Sequence, residues 1–142
     1  VIGNILEQYA PELQVLGIVV DHAPTNLEVH ADPRDLHALI DNLVANAIRH
    51  GSDAEAPTIV LRSEVREAGM VDLLVGDTGP GVPEAQRERI FSIFERGAAA
   101  TSGTGVGLSI VRRIAELGGG KARYDDTVAD GAGFRITLPK AA

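Results

Sequence analysis

The placement of glycine constrains this chain more than any other feature. Glycine makes up 16 of the 142 residues, well above the roughly 7% of an average chain, and the excess is clustered. Gly103-Thr104-Gly105-Val106-Gly107 leads into a run with helical spacing at Leu108, Val111, Ile114, Ala115 and Leu117. Bare backbone N–H groups at a helix start, with the helix dipole behind them, suit an anion, and side chains would block its approach. Asp77-Thr78-Gly79-Pro80-Gly81 directly follows the apolar segment Val71 to Val75. A carboxylate at a strand end beside such a turn faces a place where the backbone can approach a flat ligand closely. It could accept from the exocyclic amine of adenine, whereas guanine would present a carbonyl there, a mismatch of about 1–3 kcal/mol. The Rossmann fingerprint fits poorly, because a loop rather than a strand precedes Gly103, and no Walker Gly-Lys-Ser/Thr occurs.

Around these turns the hydrophobic pattern predicts an α+β fold: a two-layer sandwich whose mixed, mostly antiparallel sheet is covered on one face by helices. Residues 1–16 have amphipathic helical spacing that Pro11 should kink or interrupt. Ile18 to Val20 and, more weakly, Leu27 to His30 read as strands. Asp32-Pro33 is an N-cap followed by a first-turn proline, opening a helix that Gly51 ends. Thr58 to Val65 and Val71 to Gly76 form a hairpin. Pro83 to Phe91 reads as a short helix, Gly97 to Gly107 as a mobile stretch, Val106 to Leu117 as a helix, and Lys121 to Tyr124 with Phe134 to Leu138 as a closing hairpin. At about 150 residues per domain, the chain is one domain spanning 1–142. The absence of cysteine excludes disulfide scaffolds and thiolate chemistry. A net charge of −7 and only 4% aromatics disfavour nucleic acid as a partner, and no apolar run nears the ~20 residues of a membrane span.

On the helix from Pro33 to His50, Leu36, Leu39, Ile40, Leu43, Val44, Ala47 and Ile48 form one broad apolar face, while Asn42, Asn46 and Arg49 stack at i, i+4 and i+7 on another. Two amide oxygens can ligate a hard cation such as Mg²⁺ and a guanidinium can reach a phosphate. A solvated helix face is the plain alternative for this stripe.

The order of these features resembles the ATP-binding domain of the gyrase, Hsp90, histidine kinase and MutL superfamily, and specifically that of sensor histidine kinases. The matching segments are residues 42–50 (Asn-Leu-Val-Ala-Asn-Ala-Ile-Arg-His), 77–82 (Asp-Thr-Gly-Pro-Gly-Val), 91–96 (Phe-Ser-Ile-Phe-Glu-Arg) and 103–108 (Gly-Thr-Gly-Val-Gly-Leu). The resemblance implies that Asn42 and Asn46 hold Mg²⁺ and the phosphates of ATP or ADP, that Arg49 contacts phosphate, and that His50 sits beside the nucleotide. It implies that Asp77 reads the adenine amino group in a pocket shaped by Gly79 and Gly81. Residues 82–104 would form a mobile lid, running from Val82 to Thr104. Phe91 and Phe94 would anchor it, with Arg96 near the γ-phosphate. Gly103, Thr104, Gly105, Val106, Gly107 and Leu108 would present the phosphate-binding helix start. Plain readings stand beside these: Phe91 and Phe94 as core, Arg96 as a solvated charge, His50 as a helix cap.

Superfamily branches that hydrolyse ATP, and the serine-kinase anti-sigma factors, resemble this chain except that they carry Glu at position 42, where it serves as a general base. Asn cannot take a proton at neutral pH, and the neighbouring Asp41 is turned by about 100° around the helix. The resemblance thus implies a kinase that passes the ATP γ-phosphate to a histidine on a separate dimerisation hairpin, upstream of a response regulator. It also implies a cytoplasmic setting, within a membrane-anchored bacterial sensor. None of the four histidines is followed by an acidic residue, so the phosphoacceptor hairpin is expected to lie outside this chain. A nucleotide-binding regulatory module of the anti-sigma type is the alternative. Residues 97–104 carry no basic side chain, a departure from many relatives.

Overall fold

The computed structural model describes residues 2–22, 28–51, 56–67, 69–79, 81–91, 104–128 and 131–141. The elements are α1 (Ile2–Leu16), β1 (Val19–His22), α2 (Pro33–Gly51), β2 (Thr58–Arg66), β3 (Met70–Asp77), α3 (Thr104–Leu117), β4 (Lys121–Tyr124) and β5 (Gly133–Pro139). The sheet has the order β1-β2-β3-β5-β4. β1 runs parallel to β2, and every other pairing is antiparallel, so the expected α+β sandwich with a mixed sheet is what forms.

Strand alternation separates the two faces of the sheet. Ile59, Leu61, Leu73, Val75, Phe134, Ile136 and Leu138 join one core with Leu39, Leu43 and Val44 of α2 and Leu108, Val111 and Ala115 of α3. On the other face, Asp72 is buried although the described helices pack into the opposite core. It accepts hydrogen bonds from the Thr137 hydroxyl at 2.6 Å and from Arg135 at 2.6 Å, and Arg66 approaches at 3.3 Å. Arg135 also donates to Asp125 at 2.8 Å. Burial pushes the Asp72 carboxyl up, but Thr137, Arg135 and Arg66 outweigh it and hold it below the ordinary value. The Thr127 hydroxyl, against burial and together with Arg135, holds Asp125 down to about 2.

Several boundaries differ from the sequence-based expectations. Pro11 lies inside α1 without interrupting it. It is exposed, and the buried Ile5 and Leu13 on either side hold the helix to the core. Ile18 belongs to the end of α1 rather than to β1: its N–H donates to the Leu13 carbonyl at 2.9 Å and that of Gly17 to Gln14 at 3.2 Å, a Schellman cap with Gly17 at φ 68°. The weak strand near residue 29 is a single bridge, Val29 to Lys140, and Leu27 lies outside the described residues. The short helix expected from Pro83 to Phe91 is instead two 3₁₀ turns, Glu84–Gln86 and Arg89–Phe91. Only the adjacent Ile90 and Phe91 are buried there, which provides no i, i+4 stripe to sustain an α-helix. At α2 the cap is as expected, the Arg34 N–H donating to the Asp32 carboxylate at 2.8 Å. No described helix is long and apolar enough to cross a membrane.

Candidate functional site

The last residue of β3 is Asp77, whose side chain is buried with 1% of the residue exposed. It sits opposite Ile59 of β2, at the end of the sheet where β3 stops. One carboxylate oxygen, Oδ1, accepts from the Gly79 N–H at 2.8 Å, closing a tight turn. The other, Oδ2, is buried with no hydrogen-bond partner among the described residues. Burial pushes the carboxyl up, and the backbone amides of Gly79 and Ala132 pull in the other direction without cancelling it. An acceptor buried this way carries a desolvation cost of about 1–3 kcal/mol unless a donor arrives. The turn itself is set by close approach: a Cβ on Gly79 would stand 2.1 Å from the His50 carbonyl oxygen.

His50 is in the last turn of α2, and one helical turn before it is Asn46. Of the stripe of Asn42, Asn46 and Arg49, the two asparagines are not on the solvated face that the sequence left open, whereas Arg49 is exposed. Asn46 is 6% exposed and its Oδ1 is buried without a partner among the described residues. Asn42 spends its Nδ2 on the Ala38 carbonyl at 2.7 Å, and its Oδ1 points to the start of α3, 3.0 Å from where a Gly107 Cβ would be. Gly107 therefore leaves room for the Asn42 amide as well as exposing backbone. Asp41 faces α1, accepting from the Tyr9 hydroxyl at 2.8 Å. Burial, reinforced by Asp41, pushes that phenol up to about 12. Arg49 is exposed and near enough for its charge to act on Tyr9 in the opposite sense.

Beyond the Asp77 turn, Val82 packs on the core as a half-buried residue. Phe91 is buried and meets Phe134 edge-on at 5.9 Å, with the Arg112 guanidinium 5.8 Å from its ring centre. Its anchoring is thus core packing. Leu108 is 2% exposed in the same core, so only its backbone can take part in a ligand contact.

Along α2, His50 meets the Asp77 turn at Gly79 and Asn42 meets the start of α3 at Gly107, which outlines a corner on that helix; Asp77 and Asn46 each carry an acceptor buried without a partner among the described residues. The family model described as histidine kinase-, DNA gyrase B- and HSP90-like ATPase matches residues 31–142. The chain belongs to that family. Within it, the sensor-type histidine kinase PrrB of Mycobacterium tuberculosis is 38% identical over 108 residues, covering 75% of this chain and 23% of PrrB. The catalytic domain of the histidine kinase ThkA, solved nucleotide-free, superposes with a TM-score of 0.83 at 30% identity, covering 99% of this chain and 92% of that one. Full-length ShkA in complex with AMPPNP gives 0.83 at 29% identity, covering 99% of this chain and 29% of ShkA. The chain spans less than a quarter of PrrB's length.

In this histidine kinase-type fold, Asn42, Asn46 and His50 follow one another along α2, and Asp77 and Gly79 lie in the turn that His50 contacts. Gly81 follows in a left-handed conformation at φ 75°, and the backbone of Thr104, Gly105, Val106 and Gly107 forms the first turn of α3. Phe94, Arg96, Gly103 and the greater part of the expected 82–104 lid lie outside the described residues. Sequence reading missed Gly131, Tyr124 and Arg87. The Gly131 N–H donates to the Asp77 carbonyl at 2.9 Å, and a Cβ on Gly131 would stand 2.4 Å from the Gly79 carbonyl oxygen. Tyr124 and Arg87 grip Val82. Their only sequence signals were a tyrosine ending a short strand and one arginine among several, and neither points to position 82.

Proposed function

We propose that this corner binds a Mg²⁺-bound adenine nucleotide, and that the chain is the catalytic half of a sensor histidine kinase. The observation that carries the reading is a pair of oxygens buried without a hydrogen-bond partner among the described residues, Asp77 Oδ2 in the turn that meets His50 and Asn46 Oδ1 one helical turn before His50. An ionised carboxylate offers only acceptors, which suits the adenine amino group and opposes the guanine carbonyl. An amide oxygen suits a hard cation or its bound water. Asn42 and Asn46 would hold Mg²⁺, Arg49 and Arg96 would approach the phosphates, and the amides of Gly105 and Gly107 at the start of α3 would receive their charge. When bound at Asn42 and Asn46, Mg²⁺ would supply positive charge to offset that developing on the departing ADP.

The acceptor in this reading is a histidine on a separate dimerisation hairpin, and a response regulator receives the phosphoryl group next. As the imidazole nitrogen forms its bond to the γ-phosphorus, the bond from that phosphorus to the ADP oxygen breaks. Such a transfer rests on positioning and charge neutralisation and needs no general base for water. Asn42 in place of an acid and Asp41 tied to Tyr9 both support slow hydrolysis by this chain alone. Relatives whose names describe sensor kinases support the same reading, and the setting that goes with it is cytoplasmic. Calorimetry with ATP, ADP and GTP, with and without Mg²⁺, tests the pocket. Micromolar-range, Mg²⁺-strengthened binding of the adenine nucleotides is expected. A folded sample indifferent to ATP and ADP at millimolar concentration overturns it. Labelling of a separately produced hairpin domain from γ-labelled ATP tests the transfer.

A further inference from the structure

Val82, where the chain leaves the Asp77 turn, is held by side chains on both of its backbone polar groups. Its N–H donates to the Tyr124 hydroxyl at 3.1 Å, and its carbonyl accepts from Arg87 Nε at 3.0 Å. The two gripping side chains also hold each other, the Arg87 guanidinium lying 4.5 Å from the Tyr124 ring centre. Arg87 is steadied further by Asp126 at 3.4 Å. The Tyr124 ring meets Phe134 edge-on at 5.7 Å, so the core fixes the direction in which the hydroxyl emerges. That hydroxyl also donates to the Gly131 carbonyl at 3.5 Å, and the Gly131 N–H donates to the Asp77 carbonyl at 2.9 Å.

We propose that Tyr124, with Arg87, is a positioning residue for adenine recognition: through Val82 and Gly131 it braces the main chain of Asp77 so that the buried carboxylate keeps its aim. The inference rests on the nucleotide reading of the site. The need for a brace follows from the local sequence. Gly79, Gly81 and Gly131 provide the close approaches that bring the backbone to the pocket, and glycine-rich backbone has more conformations to lose than any other. Strand pairing ends at Asp77 on one side and at Gly133 on the other. Beyond those points two backbone bonds remain, from the Asp77 N–H to the Ala132 carbonyl and from the Gly131 N–H to the Asp77 carbonyl, both at 2.9 Å, and the Tyr124 hydroxyl adds the cross-link that ties Gly131 to Val82. Its closeness to the turn is such that a Cβ on Gly81 would stand 3.4 Å from the hydroxyl oxygen.

Tyr124→Phe is the decisive variant, since it keeps the ring against Phe134 and under Arg87 and removes only the hydroxyl. Arg87→Lys, at a half-buried site, removes the Nε contact to the other side of Val82 and serves as the second variant. Three readouts are taken on the wild type and both variants: ADP and GDP affinity by calorimetry, thermal midpoint, and amide exchange at Val82 without nucleotide. One hydrogen bond of ordinary net worth corresponds to roughly a five-fold change in an equilibrium constant. Tyr124→Phe is therefore expected to bind ADP about five-fold more weakly, to narrow the ADP-over-GDP preference, and to exchange the Val82 amide about five-fold faster, with only a small change in midpoint. Unchanged ADP affinity and preference in both variants overturn the inference. So does a lower midpoint with the ADP-to-GDP ratio intact, which marks a merely structural contact. Failure of the wild type to bind ADP at all overturns the nucleotide reading itself, whereas wild-type binding with indifferent variants overturns this inference alone.

Discussion

Gly79 presses against the last turn of α2, so that a Cβ at position 79 would lie 2.1 Å from the His50 carbonyl oxygen and 2.9 Å from Asp77 Oδ1. Backbone meets backbone there, and neither partner can rotate away. The Asp77 turn is in this way seated on the helix that carries Asn42 and Asn46.

Gly79→Ala should therefore destabilise the fold by about 2 kcal/mol or more, the overpacking cost of a well-packed site, and should weaken ADP binding because the N–H that closes the turn moves with it. Gly3→Ala is the control, since a Cβ there meets nothing within 4 Å in the first turn of α1. Alanine in place of helical glycine should raise stability by up to about 1 kcal/mol. Paired thermal melts distinguish the two, and equal, harmless effects would contradict the contact at His50.

Asp77→Asn should separate stability from binding. The Asp77 carboxyl titrates above its ordinary value because burial disfavours its charged form. An acid with a raised folded-state pKa holds its proton to higher pH when folded than when unfolded, so stability declines as pH rises from about 4 through the folded-state pKa. Above that folded-state pKa the wild type carries the penalty in full, and the neutral amide does not. The variant's midpoint without nucleotide should be equal to or above that of the wild type at pH 7, with the gap closing toward pH 4. ADP affinity should fall about ten-fold with the loss of a charged hydrogen bond. Melts across pH and calorimetry check both halves, and undiminished ADP affinity would remove Asp77 from the site.

Asn46→Ala removes an oxygen that has no hydrogen-bond partner among the described residues. Stability should stay within about 1 kcal/mol of wild type, while the part of ATP affinity that depends on Mg²⁺ should disappear. Titrations with Mg²⁺ and with chelator give that difference directly. A variant that keeps its full Mg²⁺ dependence would assign the cation to other groups.

The network on the uncovered sheet face should govern acid stability without touching the ligand corner. Asp72 and Asp125 both titrate below their ordinary values. A depressed acid contributes stability that is complete above its unfolded-state value and is lost as pH falls through its folded one. For Asp125 the loss should extend from about pH 4 down to about pH 2, and the thermal midpoint should fall steeply over that range. Asp72→Ala leaves the Thr137 hydroxyl and one side of Arg135 without their buried acceptor, and should cost about 3 kcal/mol at pH 7. ADP affinity of the folded variant should be unchanged. A flat midpoint between pH 4 and pH 2 would contradict the network's role.

Much of the architecture was legible in the sequence because it is encoded over short separations. The period of Leu36, Leu39, Leu43 and Val44 marks α2, alternation from Ile59 to Val65 marks β2, and Asp32-Pro33 marks a helix start that the structure reproduces to the residue. The order of the Asn stripe, the Asp77 turn and the glycine-rich helix start identified the family for the same reason: each motif is a local backbone requirement written in adjacent residues. Only the tertiary structure decided which face of α2 is covered, since the Asn stripe reads identically whether it meets water or α3. It alone decided that Asp72 is buried by Arg135 and Thr137, side chains more than sixty positions away that the antiparallel register of β3 with β5 brings alongside it. It alone put Gly131 and Tyr124 behind Asp77. Such pairings depend on strand register and helix docking, which minimise exposed apolar area over the whole chain, and no short stretch of sequence contains that sum.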